Sequence, residues 1–137
     1  MIEAVYAVNE YMKAQLTAAS LSCGELYPGK FAPSTENGVK FATYSVVPSD
    51  TYDLSGLKKD FIQYRFYNPD FDDLHKVVRV VRNTFNVDDI QKTTLTEPGV
   101  IFQETFFRVS GDGEASFAEG VDYYYLACEL MLQYTGS

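Results

Sequence analysis

Hydrophobic positions in this chain follow two rhythms, one of two residues and one of three to four. The first is clearest in DYYYLACELMLQY, Asp122 to Tyr134. Tyr124, Leu126, Cys128, Leu130, Leu132 and Tyr134 fall on one face of an extended strand, and Tyr123, Tyr125, Ala127, Glu129, Met131 and Gln133 on the other. Alternation of period two predicts a strand. The first face is a core face. The second carries two tyrosines and a methionine, which suits contact better than water. KDFIQYRFY, Lys59 to Tyr67, repeats the pattern, with Ile62, Tyr64 and Phe66 on one side and Phe61, Gln63, Arg65 and Tyr67 on the other. Val39 to Val47 and Val100 to Val109 predict two more strands. Leu26-Tyr27 predicts a short extended piece, paired with Val39 to Val47 as a hairpin whose first arm is broken by proline.

The second rhythm marks two helices. Over residues 3 to 19, Val5, Val8, Met12, Leu16 and Ala19 recur at helical spacing, and Gly24 stops the helix or opens a turn. Over NPDFDDLHKVVRVVRNTFN, the stripe is Phe71, Leu74, Val78, Val81 and Phe85, with Val77 beside it. Asn68 is the expected cap and Pro69 the first helical residue. Asp70, Asp72 and Asp73 crowd the positive end of the dipole; Lys76, Arg79 and Arg82 run towards the negative end. The valines weaken intrinsic helix preference, so docking on a sheet must supply the stability.

Residues 48 to 58 and 110 to 121 are expected loops, and 86 to 99 a linker with room for a short strand. The order α-β-β-β-α-β-β predicts a single α+β domain over residues 1–137. Its sheet is mainly antiparallel, with both helices on one face. The bare face then carries Phe61, Tyr67, Tyr123, Tyr125 and Met131, and a contiguous aromatic face marks a contact surface.

Composition agrees with a packed domain. Of 137 residues, 46% are apolar and 15% aromatic, too many for a disordered chain. The aromatics are eleven Tyr and ten Phe without Trp, and tyrosine favours interfaces. A net charge of -8 argues against tight binding of phosphates, which needs clustered Lys and Arg. The bases Lys58, Lys59, Arg65, Lys76, Arg79 and Arg82 are scattered among acids. Cys23 and Cys128 are far apart and form no CxxC pair, as expected for free thiols in a reducing compartment. No run approaches the roughly 18 apolar residues of a membrane span. The N-terminus lacks the basic region of a secretory signal.

Motifs for catalysis are missing: no GxGxxG, Walker, HExxH or GxSxG pattern occurs. His75, the single histidine, lies off the apolar stripe with no nucleophile placed near it by motif, and reads as a surface residue. The dipole explains Asp70, Asp72 and Asp73 better than a metal does. Ser110 to Glu114 resembles a calcium loop only in Asp112, Glu114 and Glu119, and lacks the other ligands of an EF-hand. The expectation is therefore no enzyme, no metal and no cofactor.

A leading helix, a short "LYP" segment, a "KFATYSVV" strand, "DFIQYRFYNPDFDDLHKVVRVVRNTFN" and a late hairpin follow one another. This order, from about residue 3 to 134, resembles the tail terminator (tail completion) proteins of long-tailed bacteriophages. The most telling part is the strand-then-helix unit of 59 to 86, where Asp70 to Phe85 loosely matches "D-x-x-x-x-x-V-x-x-V-x-x-x-F". The acidic loop at 110 to 121 and the segment 86 to 99 depart from the family pattern. The resemblance implies an α+β subunit of a hexameric ring, formed in solution or only on the tail tube. Such a ring caps the tube, stops its polymerisation and joins it to the head connector. It implies a virion protein of the tail-head junction, assembled in the host bacterial cytoplasm. Its partners would be other copies, the tail tube protein and the connector or stopper, with no specific nucleic-acid binding and no membrane. Subunits of the family join through sheet edges and loops around a channel that DNA crosses.

The expected contact residues are Tyr52, Asp53 and Leu54 in the first loop and Asp112, Glu114 and Phe117 in the second. Phe61, Tyr67, Tyr123, Tyr125 and Met131 complete the set on the sheet. Two alternatives stand beside this. One is another phage neck protein. The other is a ligand-binding or enzymatic cone of the nuclear transport factor or cyclase kind, its cavity lined by Phe66, Phe102, Phe106 and Tyr124.

Overall fold

The structure, a computed structural model, describes residues 2–29, 38–48, 58–86, 101–110, 115–118 and 123–135. Helix α1 (Ile2–Ala18) leads into strands β1 (Glu25–Pro28), β2 (Phe41–Pro48) and β3 (Lys58–Asn68). Helix α2 (Phe71–Phe85) follows, then β4 (Ile101–Val109), β5 (Ser116–Ala118) and β6 (Tyr123–Thr135). The sheet order is β1-β2-β3-β6-β4, and β5 pairs with β6 beyond the end of β4. This is the expected α+β class, with two helices on a mostly antiparallel sheet.

Two local expectations change. β1 pairs with β2 in parallel, so the two do not form a hairpin. Parallel neighbours need a connection of about a dozen residues or more, and the chain from Gly29 to Lys40 supplies it. The stretch expected as a loop at 110 to 121 contains β5, which extends the line of β4 along the same side of β6.

Helix α1 ends without glycine. Ser20 takes the left-handed backbone (φ 60°). Leu21 N donates to Leu16 O at 2.8 Å and Ser20 N to Thr17 O at 3.0 Å, the paired bonds of a Schellman cap. Gly24 serves elsewhere. At φ +77°, it passes so close to the Lys40 carbonyl that a Cβ would stand 2.0 Å from that oxygen. Helix α2 is capped two residues later than expected. Asp70, not Asn68, accepts from Asp72 N and Asp73 N. Asn68 is buried at the end of β3, where it accepts from Asp70 N and donates to Asp73 at 2.7 Å. Tertiary burial of Asn68 thus decides which of two good capping residues is used.

Both helices cover one face. α1 buries Val5, Val8, Met12 and Leu16, and α2 buries Leu74, Val77, Val78, Val81 and Phe85. They pack on Ile62, Tyr64 and Phe66 of β3, Phe107 of β4 and Leu126, Cys128, Leu130, Leu132 and Tyr134 of β6. Phe71, expected in the core stripe, is 38% exposed at the start of α2. A buried polar group is costly unless it is hydrogen-bonded. Tyr64 OH donates to Asn9 Oδ1 at 2.6 Å, and Tyr134 OH donates to Asp60 Oδ2. Burial pushes the Tyr64 phenol pKa far up, so it remains a donor.

Candidate interaction surface

The other sheet face, turned away from the helices, is here called the far face. Cross-strand register builds it in rows. Val47 of β2 pairs with Phe61 of β3, Phe61 with Met131 of β6, and Met131 with Phe106 of β4. Directly paired residues share a face, so these four side chains form an apolar row across four strands. Val47 is 45% exposed and Phe106 53% exposed; Phe61 and Met131 are half-buried. The Lys59 ammonium lies 5.9 Å from the centre of the Phe61 ring.

The adjacent row is polar: Ser45, Gln63, Glu129 and Arg108. Arg108 Nη2 meets Glu129 Oε1 at 3.0 Å on this surface. Exposed Arg65 stands in the next row, between Thr43 and Ala127. At the far end of the strands the face turns aromatic again. Phe41 stacks on Tyr67 at 4.7 Å, and Tyr67 tilts against Tyr125 at 5.9 Å. Tyr123 meets Phe41 edge-on at 5.5 Å, and its hydroxyl donates to Val39 O at 2.9 Å.

The structure therefore sorts the expected contact residues. Phe61, Tyr67, Tyr125 and Met131 share the far face. Tyr123 shares it too but is 1% exposed, buried within the aromatic cluster, so it offers a partner almost no surface. Phe117 lies elsewhere. It pairs with Tyr124, on the helix side, and is 52% exposed. Tyr52, Asp53, Leu54, Asp112 and Glu114 lie outside the described residues.

Periodicity alone missed Val47 and Phe106 as members of the row. In β4 a bulge between Phe102 and Glu104 shifts the register, so Phe102 pairs with Tyr134 while Phe106 pairs with Met131. Strict alternation would have kept Phe102 and Phe106 on one face. The four aromatic residues suggested for a ligand cavity do not converge. Phe66 is 1% exposed in the core on the helix side, and Phe106 is on the far face.

A second exposed aromatic group lies at the start of α2. Phe71 and Phe117 each meet Tyr124 edge-on at 5.3 Å, and the His75 ring is 4.5 Å from Phe71. His75 Nε2 accepts from Ala115 N at 3.3 Å, which ties α2 to the chain entering β5. The histidine is thus half-buried and structural, not a free surface residue.

Other chemistry is weak in the described residues. Asp70 is occupied with the α2 cap. Asp73 accepts from Lys40 Nζ at 2.8 Å, and the Lys40 bond, with help from Asn68, holds its carboxyl below the usual carboxylate range. Among the described residues no three His, Cys, Asp or Glu side chains are grouped as a metal site. An open hollow of about 210 Å³ beside α1 is lined by Lys13, Leu16, Ser22, Cys23 and Glu25. Burial raises the Cys23 thiol pKa, the wrong direction for a nucleophile. Among the described residues no helix is long and apolar enough to cross a membrane.

No protein-family model and no curated protein matches this sequence.

Proposed function

We propose that this chain is a structural assembly protein of the tail terminator type, and that the far face is its contact surface. The observation behind the reading is the Val47–Phe61–Met131–Phe106 row. It runs across four strands on the face opposite the helices and is bordered by charge. Apolar side chains rimmed by polar ones are the usual make-up of a protein contact. The element order supports the same family through the resemblance noted above. In this reading the protein forms a ring on the tail tube and joins it to the head connector, with no catalytic step.

The edges of the sheet favour contact through the face, a departure from the sheet-edge joining that the resemblance implies. The β4 edge is occupied at Phe107 by the Asn86 side chain, and β1 is four residues long and ends in proline. Short, covered or proline-ended edges resist strand pairing with another chain.

Light scattering after size exclusion, over a range of concentrations and with purified tail tubes added, tests the proposal. Negative-stain images should contain rings with a central opening, free or seated at one tube end. A chain that stays monomeric and is ignored by tail tubes contradicts it.

A further inference from the structure

We infer that protonation of His75 releases strand β5 from helix α2, so that this end of the sheet opens as pH falls from about 8 to about 5. The inference is independent of the reading of the far face.

The contact fixes the state of the ring. A backbone amide can only donate. Ala115 N donates to His75 Nε2 at 3.3 Å, so Nε2 carries the lone pair and the ring proton sits on Nδ1. An imidazolium has an N–H at both positions and accepts nothing. Protonation at Nε2 therefore sets one N–H against another and ends the bond. Histidine is the side chain that ordinarily changes charge between about pH 5 and about pH 8.

Strand β5 has little else to hold it. It is three residues long and, among the described residues, pairs with β6 alone. Phe117 touches Tyr124 edge-on at 5.3 Å but is left half in solvent. Short elements with few buried contacts open locally, ahead of the whole domain. The neighbouring β4 is different, because Asn86 pins it at Phe107.

Groups on α2 itself do not set the sign. The Phe71 ring lies 4.5 Å from His75, with Asp72 three residues before it and Arg79 four after, and all three stay on the helix whether β5 is docked or released. Strand β5 contains no ionisable side chain, and β6 presents the Tyr124 ring, which meets Phe71 and Phe117. Asp112 and Glu114 lie outside the described residues. Among the described groups, what changes on docking is the acceptor role of Nε2. The released state has room for a second imidazole proton that the docked state refuses. Opening therefore rises as pH falls, by at most about tenfold per pH unit for one linked proton.

Nitrogen-15 NMR of the imidazole and hydrogen exchange of the backbone amides, on the full chain from about pH 8 to about pH 5, test the inference. At the upper end the ring proton should be on Nδ1. Exchange at Ala115, corrected for the intrinsic effect of pH, should quicken as His75 protonates, by up to about tenfold per pH unit. The Phe107 amide, held by Asn86, should keep its protection, which separates local opening from general unfolding in acid. His75→Gln retains an acceptor without the change of charge and should keep Ala115 protected throughout. A ring proton on Nε2 at the upper end, flat protection of Ala115 in the parent, or equal quickening in His75→Gln overturns the inference. So does better protection in acid, the result that attraction between an imidazolium and the Glu114 carboxylate would give.

Discussion

The side-chain amide of Asn86 takes the place of a neighbouring strand for Phe107. Its Oδ1 accepts from Phe107 N at 2.7 Å, and its Nδ2 donates to Phe107 O at 3.0 Å. Thr105 adds a bond from its hydroxyl to Phe85 O at 2.7 Å. The last turn of α2 is thereby fixed to β4, and the centre of an exposed strand edge is closed. Asn86→Ala should lower stability by about 1–2 kcal/mol, the net worth of two partly solvated hydrogen bonds. Urea unfolding measures the loss. Hydrogen exchange should show the Phe107 amide losing protection, and no change at that amide would mean the clamp does not hold in solution.

Asn9 and Tyr64 form a buried polar pair whose worth depends on both partners being present. Tyr64→Phe leaves Asn9 without its donor inside the core and should cost about 1–3 kcal/mol. Adding Asn9→Leu removes the unsatisfied group and should recover part of that loss. A double-mutant cycle in urea reads the coupling directly. Additive effects of the two changes would refute it.

The Lys40–Asp73 pair carries a pH signature. The Asp73 carboxyl is held low in the fold, first by Lys40 and then by Asn68. A depressed carboxyl stabilises the fold above the pKa of the unfolded chain, and that contribution disappears as pH falls through the lower folded value. The pair is partly exposed, so solvent screening limits it to about 1 kcal/mol or less. Lys40→Met should therefore be less stable than the parent at about pH 7, and the gap should close towards about pH 3. A gap that widens in acid would contradict the assignment.

Both thiols should be slow to react in the folded protein. Burial pushes the Cys128 pKa up to about 12 and raises that of Cys23. Since the thiolate is the reactive form, a disulfide reagent should label neither at neutral pH until denaturant is added. Cys23 borders an open hollow and should react before Cys128. Rapid labelling of Cys128 under native conditions would mean that β6 is not packed as described.

Much of this architecture was legible in the alternation of apolar residues. The two faces of β3 and β6 and the buried stripe of α2 follow directly from period two and period 3.6. Partner direction does not, because a strand reads the same whether its neighbour runs parallel or antiparallel. The expectation of a β1–β2 hairpin fails for that reason. Asn68 and Asp70 are both good capping residues, and the choice between them goes with the burial of Asn68 and its bond to Asp73, a carboxylate that also holds Lys40. On the candidate surface, Phe61 and Met131 were readable from their strands alone. Val47 and Phe106 required the cross-strand register, and the bulge in β4 concealed Phe106. Tyr123 looked exposed by alternation, but Phe41 of β2 packs against it.

Hydroxyl-radical footprinting of dilute and assembled protein tests the central claim most directly, because it reports which face becomes covered. Met131 and Phe106 stand on the far face, while Tyr6, 58% exposed on α1, stands on the opposite side. The account predicts that assembly, free or on tail tubes, protects Met131 and Phe106 and leaves Tyr6 as reactive as before. Protection of Tyr6 with Met131 and Phe106 unchanged would place the contact on the helices and contradict it.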